Sequence, residues 1–187
     1  MMRYSAVWPV YARMWDAMVI NTNRRAEFEG LAGFAIAHKK EYQNVEEATS
    51  VPWPMVAVLH RRESDANFSA YLGNGQSLRI RTTLVPRGRG PFPNFLAGAV
   101  DALRLDGLTQ VIDWNLEKML FWATGFNGWG YGTHSPYIWG GTNQQKPGKY
   151  VHDGVYDPHV WDTQPGCAPM LAEIDKLDPT VMFTRES

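Results

Sequence analysis

The chain has 187 residues, 44% hydrophobic and 20% charged, with a formal net charge of −1. That length suits one domain able to bury a substantial core without disulfides or a structural metal, and a single cysteine, Cys167, excludes an intrachain disulfide. No apolar run approaches a membrane span, so no membrane insertion is expected.

The N-terminal stretch is amphipathic, with Trp8, Tyr11, Trp15, Met18 and Val19 at spacings of three and four, which predicts a helix over 3–20. Arg13 and Asp16 interrupt it and no small-residue cleavage site follows, so it reads as folded helix and not as a signal peptide. Asn21 to Asn23 break it from a second helix over 24–43. A third runs from Pro52 to Arg62, with Ser50 as its N-cap and Pro52 and Pro54 in the first turn. Val56, Leu59 and the His60 ring then face inward, and Glu63 arrives as the helix ends. Leu72-Gly73-Asn74-Gly75-Gln76 is a turn signal between Phe68 and Tyr71 on one side and Leu78 to Val85 on the other, which predicts a β-hairpin over 67–85. Asn94 caps a helix over 95–105 that Asp106-Gly107 ends, and Asp113 caps one over 114–124 closed by Gly125. A loop-rich aromatic region follows, then a last helix over 167–177. Helices with one hairpin make an α+β, mainly helical fold in a single domain over 1–187, the N-terminal helices of 1–50 packed on it.

The balanced total charge hides an uneven distribution. Residues 51–100 hold six arginines against only Glu63 and Asp65. A local excess of this kind favours an anionic polymer, either a nucleic acid or a carboxylate-bearing glycan; the plainer reading is a solvated loop. Aromatic residues reach 13%. Flat rings stack on sugar faces, although most rings in any protein fill its core.

Glu63 is the candidate for chemistry. A carboxyl packed partly against apolar groups resists ionisation, and glycosidic cleavage needs an acid that can protonate the leaving oxygen. The competing reading is a surface glutamate paired with Arg61 or Arg62.

The order of helix, Glu63-Ser64 and hairpin resembles the lysozyme-like superfamily, above all goose-type lysozymes and lytic transglycosylases. Phe126-Asn127-Gly128 sits where those transglycosylases carry an aromatic-Asn-Ala/Gly motif after a helix. More closely, residues 50–157 are similar to bacterial and phage lysozyme family proteins. The similarity is carried by Val51-Pro52-Trp53, Glu63-Ser64, Asn74-Gly75, Arg81-Thr82, Val85-Pro86, Gly88-Arg89, Asn127-Gly128, Gly130-Tyr131, Ser135-Pro136-Tyr137, Trp139, Gly148-Lys149-Tyr150-Val151 and Asp153-Gly154. The resemblance implies a peptidoglycan-cleaving enzyme with Glu63 as catalytic acid. It implies that Ser64 and Asn127 orient that acid or bind sugar, and that Tyr131, Tyr137 and Trp139 line a cleft. The expected partner is then the peptidoglycan glycan strand, reached by a monomer made in the cytoplasm and released to the cell wall.

No Asp or Glu lies between Asp65 and Asp101, so the hairpin region offers no second carboxylate of the kind two-carboxylate glycosidases use. Two mechanisms remain. In one, the substrate supplies an internal nucleophile and an anhydro-sugar results; in the other, Asn74, Thr82 or Thr83 holds a water for direct displacement. Phe126 stands where the transglycosylase motif has tyrosine, and no Gly-Leu-Met-Gln stretch follows Glu63, which tilts the expectation to hydrolysis.

Other constellations are weaker. His152, Asp153, Asp157 and His159, with His134 nearby, could be metal ligands of a zinc peptidase, but no H-E-x-x-H pattern exists. The expectation is therefore no metal and no cofactor. Gly73-x-Gly75 and Gly88-x-Gly90 lack the lysine of a phosphate loop, and no nucleic-acid motif accompanies the arginines. Cys167 reads as a packed thiol. A glycan-binding module without catalysis is the alternative of another class.

Overall fold

The computed structural model of the protein describes residues 2–152 and 154–187, and of His152 the backbone alone. Among these residues there are eight α-helices: α1 (Tyr4–Asp16), α2 (Arg25–Ala37), α3 (Lys39–Thr49), α4 (Trp53–Ser64), α5 (Phe95–Leu105), α6 (Leu116–Phe126), α7 (Pro136–Trp139) and α8 (Cys167–Leu177). Strands β1 (Lys149–His152) and β2 (Val155–Asp157) form one antiparallel sheet. The fold is thus α+β and mainly helical, as the hydrophobic periodicity predicts. The chain divides into two compact units, one running to Gly33 and resuming at Asn115, the other Phe34–Trp114.

In the unit Phe34–Trp114, α4 is the central element. Trp53 to His60 are all buried, because the segment is apolar on every face and no side of it can meet water. Helix α3 packs on it and on α5, whose Phe95 ring lies 4.3 Å from the His60 ring of α4, with Tyr42, Val45, Phe95 and Leu103 in the core. The predicted long helix over 24–43 is divided at His38, whose backbone leaves helical geometry and whose Nδ1 meets the Phe34 carbonyl at 3.0 Å. Ser50 does not cap α4. It ends α3 in a left-handed turn (φ 62°), its N–H donating to the Glu46 carbonyl at 2.7 Å, and Pro52 leads into α4.

The hairpin predicted over 67–85 does not form. A single bridge, Ala70 to Ser77, closes the turn, with Tyr71 N–H on the Gln76 carbonyl at 2.6 Å. Beyond it the second arm pairs with itself: Thr82 N–H donates to the Arg89 carbonyl and Gly88 N–H to the Thr82 carbonyl. The reason lies in Gln76. Its Oε1 accepts from the backbone of both Thr83 and Leu84, and its Nε2 donates to the Thr83 hydroxyl, each at 2.9 Å. A side chain has taken the donors that a strand partner would need. Asn94 does cap α5, accepting from Ala97 N–H at 3.0 Å, and Gly107 (φ 77°) follows its end.

In the other unit α1 packs on α6, and α7 and α8 close on α6 and on each other. Tyr11, Phe28, Leu116, Leu120, Ile138, Trp139 and Leu171 fill the core. Helix α1 stops at Asp16, short of residue 20, because the chain beyond it pairs with a loop: Val19 N–H donates to the Asn143 side chain and Asn21 N–H to the Gly141 carbonyl. Asn115, not Asp113, caps α6 by accepting from Lys118 N–H at 2.8 Å, while Asp113 takes a positive φ of 53°. Gly125 is inside α6 and not its terminus; a Cβ there would lie 2.5 Å from the Trp129 ring, so the missing side chain makes room for Trp129. Gly140 and Gly166 mark a backbone crossing at the start of α8. Gly166 N–H donates to the Gly140 carbonyl at 2.9 Å, and a Cβ on Gly166 would meet the Gly140 nitrogen at 2.4 Å. The sheet, absent from the predicted elements, pairs Tyr150 with Tyr156 across its two strands. No helix among the described residues is long and apolar enough to cross a membrane.

Candidate functional site

Glu63 lies in the last turn of α4, half-buried, three positions after His60, the last of the buried run. The helix stops there because Asp65 and Ala66 both adopt positive φ, 56° and 57°, and their N–H groups return to the carbonyls of Arg61 and His60. Two successive residues with a Cβ in that region are costly. What they achieve is an abrupt turn that folds the next segment back on the helix end. Gly75 (φ 72°) comes to rest on the Glu63 carbonyl, where a Cβ would approach to 2.8 Å. Of the expected order of helix, Glu63-Ser64 and hairpin, the helix ending near Glu63 is present, and a folded-back loop stands where the hairpin was expected.

Two carboxylates of this unit, Asp65 and Asp101, are engaged with other partners. Asp65 is ion-paired with Arg61. Asp101 accepts from the Tyr71 hydroxyl and from Arg89 Nε, each at 2.9 Å. Burial pushes the Asp101 carboxyl up, but the hydrogen bonds from Arg89 and Tyr71 outweigh it and hold the group below the usual carboxylate range. Burial raises Glu46 above its ordinary value, partly offset by the Trp53 backbone. Glu46 thus stands at the opposite end of α4 from Glu63, and the ten residues from Trp53 to Glu63 rise roughly 15 Å.

The predicted sugar-binding residues of this unit hold the loop together. Ser64 Oγ donates to the His60 carbonyl at 3.1 Å. Asn74 accepts from Gln76 N–H and donates to the Leu84 carbonyl. Thr82 is buried, its hydroxyl donating to the Pro86 carbonyl at 2.6 Å and accepting from Arg89 N–H at 2.9 Å. Arg79, Arg81 and Arg87 remain exposed on this loop, beside exposed Leu84 and Val85.

The other unit carries a cleft of about 380 Å³ bounded by residues 130–136 and the β1–β2 hairpin. Three tyrosines form one wall. The Tyr131 and Tyr150 ring centres are 5.3 Å apart, Tyr150 and Tyr156 5.3 Å, and Tyr131 and Tyr156 6.2 Å. The Tyr131 hydroxyl accepts from Tyr150 N–H at 2.8 Å, tying wall to hairpin. Opposing chemistry comes from Lys146, whose Nζ lies 3.5 Å from His134 Nε2. Burial and the Lys146 charge lower the His134 pKa.

Of the residues expected to line the sugar cleft with Glu63, Tyr131 lines the cleft of this unit, which does not hold Glu63, while Tyr137 and Trp139 are core residues at 2% and 0% exposure. Short helix α7 turns both inward, and Trp139 Nε1 donates to the Thr133 carbonyl. Asn127 is exposed at the end of α6, where its N–H returns to the Ala123 carbonyl. Tyr150, Tyr156 and Lys146 went unnoticed as site residues. The signal for the pair was Tyr150 and Tyr156 on either side of the dipeptide Asp153-Gly154, each next to a valine, a cross-strand arrangement.

Of the possible metal ligands, Asp153 and the His152 side chain lie outside the described residues. Asp157 accepts from His159 N–H, and among the described residues no group of three His, Cys, Asp or Glu side chains could hold a metal ion. Cys167 is fully buried. The chain matches no protein-family model, no curated protein and no solved structure, so its own geometry is what carries a functional reading.

Proposed function

We propose that the protein cleaves the glycan strands of bacterial peptidoglycan, as a muramidase-type hydrolase of the phage endolysin kind, with Glu63 as general acid. The observation that carries this reading is the setting of Glu63. It is half-buried in the last turn of a helix whose residues Trp53 to His60 are all buried, and a strained turn presses the following loop onto that end. General acid catalysis requires a carboxyl in this place to hold a proton for the leaving oxygen. Exposed Arg79, Arg81 and Arg87 on the same loop suit a carboxylate-bearing polymer.

A second reading, lytic transglycosylation, is favoured by one observation. Asn74, Thr82 and Thr83 were the groups that could hold a nucleophilic water, and their polar atoms are engaged within the loop. Attack by a hydroxyl of the substrate itself needs no such water. Mass spectrometry of digested peptidoglycan separates the two: reducing-end sugars mark hydrolysis, anhydro-sugars mark transglycosylation. Under either reading Glu63→Gln keeps the fold and lowers the lytic rate at least ~100-fold, the scale of lost general acid catalysis. Near-normal lysis by a folded Gln variant, or peptide fragments in place of glycan fragments, would remove the proposal.

A further inference from the structure

We infer that the cleft between residues 130–136 and the β1–β2 hairpin is a binding site for a sugar ring bearing a carboxylate. The inference goes beyond the assignment of Glu63 and does not depend on it.

The argument begins with exposure. Tyr150 and Tyr156 leave 45% and 47% of their surface open to water although each is held in a defined place. Tyr150 is fixed through its backbone by the Tyr131 hydroxyl. Tyr156 lies over Gly148, where a Cβ would fall within 1.8 Å of its hydroxyl oxygen. Gly148 has a φ of 127°, and its N–H is bound to the Val160 carbonyl at 2.8 Å. Open rings that are already ordered lose little freedom on binding, which favours a ligand that stacks.

The spacing decides what kind of ligand. Ring centres 5.3 to 6.2 Å apart are in mutual contact, leaving no room for a group between them. The tyrosines form a faceted wall and not a cage, so they do not enclose a quaternary ammonium. The charge points the same way. Lys146 lines the cleft and would repel a cation, and no Asp or Glu is among its described lining residues. Lys149 is neutralised by Asp162 at 3.1 Å, whereas among the described residues Lys146 meets only the edge of His134. A ligand with a face for the tyrosines and an anionic group for Lys146 satisfies both features. Its size is that of a small molecule, near the lower end of the roughly 300–1,000 Å³ usual for such sites.

Glucuronic acid and glucose are the probes, since they differ by the carboxylate alone. Titrated into the full chain and followed by the tyrosine ring resonances, glucuronic acid should perturb Tyr150 and Tyr156 and bind about fivefold more tightly than glucose, the upper range for an exposed ion pair. Lys146→Gln should erase that difference while glucose binding persists. Tyr156→Ala, with unchanged circular dichroism, should abolish both. Glu63→Gln should leave the titrations unaltered, which separates this site from the catalytic proposal. Equal binding of the two sugars, saturation by benzoate but by neither sugar, or shifts confined to residues outside the cleft would each overturn the inference.

Discussion

His60 is fully buried in α4 and surrounded by the rings of Tyr42, Phe68 and Phe95. The Tyr42 hydroxyl meets its Nδ1 at 3.0 Å. Burial lowers its pKa to about 4, partly opposed by the Asn67 backbone. The unfolded chain takes up a proton as the pH falls below about 6.5, but the folded chain does not until about 4, so acid favours unfolding across that window. Between pH 7 and pH 5 this one residue should remove roughly 2 kcal/mol of stability. Urea unfolding at both pH values, in the native chain and in His60→Gln, isolates the contribution from carboxylates that titrate nearby. Equal pH dependence in the two proteins would show that the imidazole is not the source. Asn127 makes the opposite case, since its side chain is exposed and has no hydrogen-bond partner among the described residues. Asn127→Ala should therefore change stability by no more than ~0.5 kcal/mol. If the amide binds sugar as the resemblance implies, lytic turnover falls by about an order of magnitude; an unchanged rate removes Asn127 from the sugar-binding residues.

At the scale of elements, the tightest constraint is the crossing of the Gly140 and Gly166 backbones, where α7 and α8 are brought together. The atoms that a Cβ on Gly166 would strike belong to the main chain of Gly140 and Ile138, and backbone cannot rotate aside as a flexible side chain can. Gly166→Ala should cost about 1–3 kcal/mol, the usual range for overpacking, measured as a fall in the denaturation midpoint. A midpoint unchanged from the native chain would mean that the crossing relaxes freely. Much of the element order is legible from local chemistry. Asn94 caps α5 because its short amide reaches Ala97 N–H, and the bounds of α5 and α8 agree with the predicted ranges. The missed hairpin has an equally local cause in Gln76, yet glutamine in a turn does not reveal which backbone donors it will capture. The early end of α1 is different in kind. Its residues 17–21 are drawn to residues 141–144, a partner more than a hundred positions away.

For the whole molecule, the lone thiol gives a direct probe of folding. Cys167 begins α8 and is fully buried, so a thiol reagent should label it at the rate at which its unit opens and not at the rate of a free thiol. Rapid labelling of native protein would contradict that burial. Composition and periodicity by themselves determined a mainly helical chain without a disulfide, the bounds of its most regular helices, and Glu63 at the end of an apolar helix. These follow from hydrophobic spacing and caps, which act over a few residues. Only the tertiary structure decided that Tyr137 and Trp139 belong to a core, that Thr82 and Asn74 are consumed in a loop, and that Tyr150, Tyr156 and Lys146 share a cleft. Burial and hydrogen-bond satisfaction depend on which distant segments meet. The same tyrosine is core or binding wall according to what covers its face.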